Sequence, residues 1–251
     1  MKYGICTNLK NIETVKKCGF DYIELPVGDI VNMNENELKS TIELFKDLSL
    51  PASACNCLFP GDIRLCGEAF SIDKIKEHVK KAFYNGSVLG VENFSLGSGY
   101  QRHIEPDDDF EKCMEQFKTA VIEIADLAKE NNVTVALEPL NKSETNVINT
   151  VSDGAVLVRE LNKSNLKLMA DTYHMDIESE DYSAISDNKD IICHIHIANP
   201  NGRLFPKPGD GIDYNKIFTL LNDISYNGKL SIEANSDNLE EDCMICRKML
   251  K

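Results

Sequence analysis

Long apolar runs are missing from this 251-residue chain. No stretch reaches the roughly 18 apolar residues that a membrane-spanning helix needs. Positive charge is scarce too: 27 lysines and arginines stand against 41 aspartates and glutamates, a formal charge of −14. Holding a phosphate backbone takes clustered cations, so a surface that wraps nucleic acid or lies on a polyanionic membrane is excluded. A small substrate is not, because a pocket can carry the opposite sign from the surface. The N-terminus, Met1-Lys2-Tyr3-Gly4-Ile5-Cys6, lacks an apolar core followed by a small-residue cleavage site, which predicts a cytoplasmic protein. The nine cysteines form no framework. Their number is odd and most sit among apolar neighbours, as buried thiols do in a reducing compartment. Cys55-x-Cys57 and Cys243-x-x-Cys246 are local pairs, but the second lies in a helical pattern without a partner pair, so no structural zinc is expected.

The chain nevertheless has material for a core, since 42% of it is hydrophobic, and disorder is excluded. Short apolar or β-branched runs at 3–7, 21–26, 51–58, 91–96, 134–138, 166–171, 191–198 and 229–233 read as strands. Amphipathic stretches separate them at 12–18, 35–47, 72–89, 108–131, 151–161, weakly at 173–185, and at 214–223. A final helix is expected at 239–250. Asn34 before Glu35 and Ser71 before Ile72 are helix-start signals. This alternation predicts an α/β fold, a single (β/α)8 TIM barrel over 1–251 without a linker or second domain. The competitor is a doubly wound sheet, which needs a glycine-rich phosphate loop after its first strand. Here that loop reads Thr7-Asn8-Leu9-Lys10-Asn11, and Gly97-Ser98-Gly99 lacks the third glycine of a dinucleotide fingerprint.

Barrel enzymes build their sites at strand C-terminal ends. Strand five ends in Glu138, strand six in Asp171 and strand eight in Glu233; strand seven carries His194 and His196. One such charge merely marks where a strand meets water. Four consecutive strands ending in Glu, Asp, His and Glu ask for another reason. Three carboxylates at one barrel mouth repel one another unless a cation sits among them. One imidazole with three carboxylates suits Mn²⁺ or Mg²⁺, or a borderline ion such as Co²⁺, rather than a thiolate-preferring metal. His194 and His196 share a side by the period of two, and His196 is nearer the end, so it is the better ligand. His194 reads as a hydrogen-bonded histidine one layer deeper. Glu144, His174 and Arg203 fall in the loops after strands five, six and seven. There each is either a substrate contact or a solvated charge. Arg102, Arg203 and Lys207 together leave a phosphorylated substrate open, with backbone donors of Gly97-Ser98-Gly99 as its cradle; that loop is equally a tight turn over the mouth.

Glu138-Pro139-Leu140-Asn141-x-x-Glu144, Asp171-x-x-His174, His196 and Glu233 together resemble the sugar isomerase/epimerase superfamily with a xylose-isomerase-like barrel. The closest functional match is its ketose 3-epimerase group. The likeness spans the chain and is most specific after residue 91. By position it implies Glu138, Asp171, His196 and Glu233 as metal ligands, usually for Mn²⁺. Glu138 and Glu233 would double as the acid/base pair, and Glu144, His174 and Arg203 would hold substrate oxygens. Two departures stand out. The stretch from His196 to Arg203 is one residue longer than the ketose-epimerase spacing, and the chain has no tryptophan, with which those epimerases commonly wall their pocket.

The expected chemistry is proton transfer next to a carbonyl, through an enediolate that a divalent ion stabilises. Return of the proton to the same carbon epimerises a sugar, return to the neighbouring carbon isomerises it, and loss of a β-hydroxyl dehydrates it. The ligand set does not choose among them. The implied partner is a small sugar or sugar derivative, and a homo-oligomer through the outer helices is left open. An endonuclease-IV-like enzyme needs further histidines at strands two to four and an Asp-x-His after strand seven. The chain has neither. A sugar-binding barrel without catalysis has no need of two opposed glutamates.

Overall fold

The computed structural model describes residues 1–250 and confirms the barrel. Its strands are β1 (Lys2–Cys6), β2 (Tyr22–Pro26), β3 (Ala52–Asn56), β4 (Asn93–Leu96), β5 (Thr134–Leu137), β6 (Leu166–Asp171), β7 (Ile192–Ile197) and β8 (Lys229–Ile232). They pair in sequence order, all parallel, and β1 against β8 closes the ring. The helices are α1 (Ile12–Lys17), α2 (Glu35–Leu48), α3 (Ile72–Leu89), α4 (Gly99–Arg102), α5 (Phe110–Glu130), α6 (Val151–Leu161), α7 (Thr172–Ile177), α8 (Ser183–Asp187), α9 (Asn215–Asp223) and α10 (Leu239–Met249). No described helix is long and apolar enough to cross a membrane.

The long helices begin where the start signals stand. Asn34 accepts from the backbone N–H groups of Asn36 and Glu37, and the Glu37 carboxylate reaches back to the Asn34 N–H, a complete capping box. Ser71, Asp109 and Thr150 cap α3, α5 and α6 more simply, each accepting one backbone N–H with its side chain. Differences from the sequence reading lie at the edges. Six of the strands are shorter than their apolar runs, β6 matches its run, and β1 keeps its length but starts one residue earlier. The weak 173–185 pattern divides into α7 and α8. The four-residue α4 carries no amphipathic period and was legible only as a loop.

Side chains pack on both faces of the strand ring. Outside the ring, Phe83 of α3 packs edge-on against Phe94 of β4 with ring centroids 4.8 Å apart. Inside it, Gly4 of β1 lies in register with Tyr22 on one side and Ser231 on the other. The Tyr22 hydroxyl and Ser231 Oγ meet at 2.7 Å across that gap. A Cβ on Gly4 would run into the Tyr22 ring, so only glycine leaves room for the pair. Gly4→Ala is therefore expected to destabilise the chain by about 2–3 kcal/mol through overpacking. That lowers the melting temperature by roughly 4–12 °C in calorimetry; an unchanged melting temperature would show that the ring moves aside freely.

Candidate active site

The strand ends bring all seven expected side chains to the C-terminal mouth. Glu138, Asp171, His196 and Glu233 each offer one ligand atom, and those atoms all lie within 4.8 Å of one another. His196 Nδ1 stands 3.1 Å from Glu233 Oε2 and 3.5 Å from Glu138 Oε1. Glu138 Oε1 is buried and makes no hydrogen bond. Gly97 lies against the same carboxylate, where a Cβ would collide with Glu138 Oε2. The Gly97-Ser98-Gly99 segment is thus a close-packed turn into α4.

His174 is the next neighbour. Its Nε2 is 3.5 Å from Asp171 Oδ2, and its Nδ1 accepts the Asn141 backbone N–H at 3.1 Å. An Nδ1 that accepts leaves the proton on Nε2, so this imidazole is assigned as a donor aimed at the site. Burial, aided by the Arg203 charge, pushes its pKa down to about 4, and it stays neutral near pH 7. Arg203 occupies the centre. Its Nη2 lies 3.0 Å from Asp171 Oδ2 and hydrogen-bonds Glu233 Oε2, while Nη1 is 3.7 Å from Glu144 Oε1. The loop accommodates its length by turning left-handed at Gly202 and Arg203, with φ of 85° and 53°, and the guanidinium lies 4.7 Å above the Tyr173 ring.

Charge explains this arrangement. Burial pushes Asp171 up to about 7, with Glu233 and Glu138 adding to the push against the pull of Arg203 and His196. Burial acts on Glu233 as well, but His196 and Arg203 outweigh it and hold that carboxyl down at about 2. A donor set of one imidazole and three carboxylates, one of them with a buried orphan oxygen, fits a divalent cation of the hard to borderline kind.

The sequence reading missed Glu24. This fully buried carboxylate on β2 takes His194 Nε2 at 2.8 Å, His196 Nε2 at 3.1 Å and the Ser231 hydroxyl at 2.5 Å. The two imidazoles keep it ionised, well below the usual carboxylate range despite its burial. Its signal was present as a lone charge inside the apolar run Tyr-Ile-Glu-Leu-Pro, a residue type that is almost never buried without partners. Asn56, at the end of β3, was also missed; its amide donates to Glu233 Oε1 at 2.6 Å. His194 lies one layer down, as expected.

The phosphate reading loses two of its three cations. Arg102 is completely buried and donates to the carbonyls of Leu96, Glu138 and Ile148. It ties the ends of β4 and β5 together and does not face the mouth. Arg102→Ala orphans these carbonyls and is expected to cost at least about 3 kcal/mol in urea unfolding; a loss below about 1 kcal/mol would show that water replaces the guanidinium. Lys207 is paired with Asp242 at 2.6 Å. Cys243 and Cys246 are free buried thiols, in neither of the metal-type clusters found among the described residues.

Residues 12–249 match the xylose isomerase-like TIM barrel family. The chain belongs to that family. The D-psicose 3-epimerase of Ruminiclostridium cellulolyticum is 31% identical, over 88% of this chain and 76% of its own length. The D-psicose 3-epimerase of Agrobacterium fabrum is 29% identical over 88% and 77%. The 3-dehydro-D-guloside 4-epimerase of Escherichia coli is 29% identical over 90% and 86%. Among solved structures, a D-psicose 3-epimerase crystallised in the presence of D-fructose superposes with a TM-score of 0.87 at 24% identity, covering 100% of this chain and 97% of that one. At that identity it supports the fold. The named relatives are epimerases, and this member of the family is an enzyme of the isomerase class.

Proposed function

We propose that this barrel is a divalent-metal-dependent epimerase of a sugar or sugar derivative, with Glu138 and Glu233 exchanging the proton. The observation that carries the reading is the convergence of four ligand-type side chains from four consecutive strands, two of them glutamates. Glu138, Asp171, His196 and Glu233 would hold the ion. When bound, Mn²⁺, or Mg²⁺ or Co²⁺ in its place, supplies Lewis-acid polarisation of the substrate carbonyl and so acidifies the adjacent C–H.

The remaining work falls to the side chains. The two glutamates enter from β5 and β8, three places apart round the ring, and so approach the substrate from different sides. One removes the proton beside the carbonyl and the other returns a proton to the same carbon, which inverts it. His174 donates through Nε2 to a substrate oxygen, and its neutrality keeps it a donor rather than a second cation. Glu144 accepts from a hydroxyl. Arg203 exchanges its carboxylate partners for substrate oxygen, with its ring stack on Tyr173 holding the guanidinium in place. The relatives' own names, psicose, ribulose and dehydroguloside epimerases, support a keto-sugar substrate.

The test is proton exchange in D₂O over a panel of ketoses and 3-keto sugars, with the metal content of the protein measured alongside. One deuterium at the inverted carbon and about one ion per chain are expected. Absence of both across the panel would sink the reading.

A further inference from the structure

We propose that the substrate is a keto-glycoside, whose second ring lies in a cavity beside the acid/base pair; this rests on the epimerase reading. A space of about 260 Å³ opens over Glu233, Arg203 and Asn56. A larger one, about 560 Å³, lies between the loops after β2 and β3 and the helix α3. Pro26 and Cys57 line both, so the two spaces meet at that pair. Pockets that enclose drug-sized ligands run from about 300 to 1,000 Å³. The smaller space falls just below this range and suits one monosaccharide. The larger falls well inside it, and a free ketose would leave it filled with water.

The lining states what the second group is. Pro26, Pro60 and Ile63 supply apolar wall, and Asn32, Asp62 and Lys74 supply donors and acceptors. Cys57, an exposed thiol shared by the two spaces, adds its sulfur to the wall. A ring with apolar C–H faces and a polar edge matches both halves of such a lining. A phosphate does not. Lys81 is paired with Glu77 at 2.9 Å, Asp62 and Glu77 bring as many carboxylates to the lining as Lys74 and Lys81 bring cations, and His78 is bound through Nε2 to the Leu58 carbonyl at 2.7 Å, with burial lowering its pKa.

Gly28 provides the test. It lines the larger cavity, and a Cβ there would meet no atom within 4 Å, so Gly28→Leu narrows the cavity without disturbing the glutamates. Solvent-deuterium incorporation would be measured for phenyl 3-keto-glucoside, D-fructose and D-fructose 6-phosphate. The wild-type chain is expected to favour the glycoside over D-fructose by about tenfold or more in kcat/KM, chiefly through KM. Gly28→Leu should remove about tenfold of the glycoside kcat/KM and leave D-fructose within about twofold. A glycoside no better than D-fructose, a preference for the phosphate, or a glycoside rate untouched by Gly28→Leu would each overturn the assignment. Exchange with none of the three would instead strike at the epimerase reading itself.

Discussion

Glu138→Gln and Glu233→Gln are each expected to lower epimerisation by about 10²–10⁴-fold, the usual contribution of a positioned acid or base. Glutamine keeps the shape of glutamate but takes no proton. The two variants should fail differently. In a two-base reaction each epimer presents its hydrogen to one glutamate, so a single variant leaves one base intact. The epimer facing that base still exchanges its proton with D₂O without inverting, and the other epimer does neither. Swapping the variant should swap the epimer. Both residues are also proposed ligands, so the comparison needs saturating metal and a measured metal content. Variants that invert both epimers within about threefold of the wild-type rate would remove Glu138 and Glu233 from the chemistry. Identical exchange patterns in the two variants would reduce the pair to a single base.

Glu24→Gln should weaken metal binding by about 10–100-fold, although residue 24 is not one of the four proposed ligands and reaches the ion site only through His196. The reason is the orientation of His196. Its Nδ1 faces Glu233 and Glu138, and its Nε2 faces the Glu24 carboxylate. An ionised Glu24 holds the proton on Nε2, and the Nδ1 lone pair is then free for a cation. Glu24 also takes His194, Ser231 and, at 3.4 Å, Ser95, so four donors share two oxygens. Glutamine has one acceptor oxygen and presents an N–H to one of these donors, which turns an imidazole or reverses its tautomer. Glu24 is thus a positioning residue, and the readout is the Kd for Mn²⁺ by calorimetry with the apo-protein melt recorded beside it. A melt that falls while Kd stays put would make Glu24 a core ion-pair residue and nothing more.

How much of the fold and site was legible in the chain depended on whether the signal was local. Capped amphipathic helices such as α2 and α3 announce themselves because their stabilising contacts lie within one helical turn. Glu138, Asp171 and Glu233 were legible because each follows an apolar strand immediately, and barrel geometry makes such ends converge. Arg102 and Arg203 show the opposite case. Both are loop arginines of similar promise in the sequence, yet one is sealed under β4 and β5, binding three carbonyls, while the other bridges two carboxylates in the mouth. Their difference is set by which loop carbonyls and carboxylates fold against them, and those partners lie up to 59 residues away. Glu24 is harder still, since its imidazole partners are 170 and 172 residues distant.

The amino-acid sequence by itself determined the barrel and the seven side chains that β5 to β8 and their loops bring to its mouth, though not Asn56 from β3. Strand periodicity and strand-end position are properties of neighbours along the chain, and eight parallel units close in only a few ways. Only the tertiary structure decided which charges face one another: that Arg203 sits between Asp171 and Glu233, that Glu24 holds His196 from below, and that a second cavity opens beside the first. Those contacts arise where strands and loops far apart in sequence are packed within a few ångströms, and electrostatic partnership depends on that distance rather than on separation along the chain.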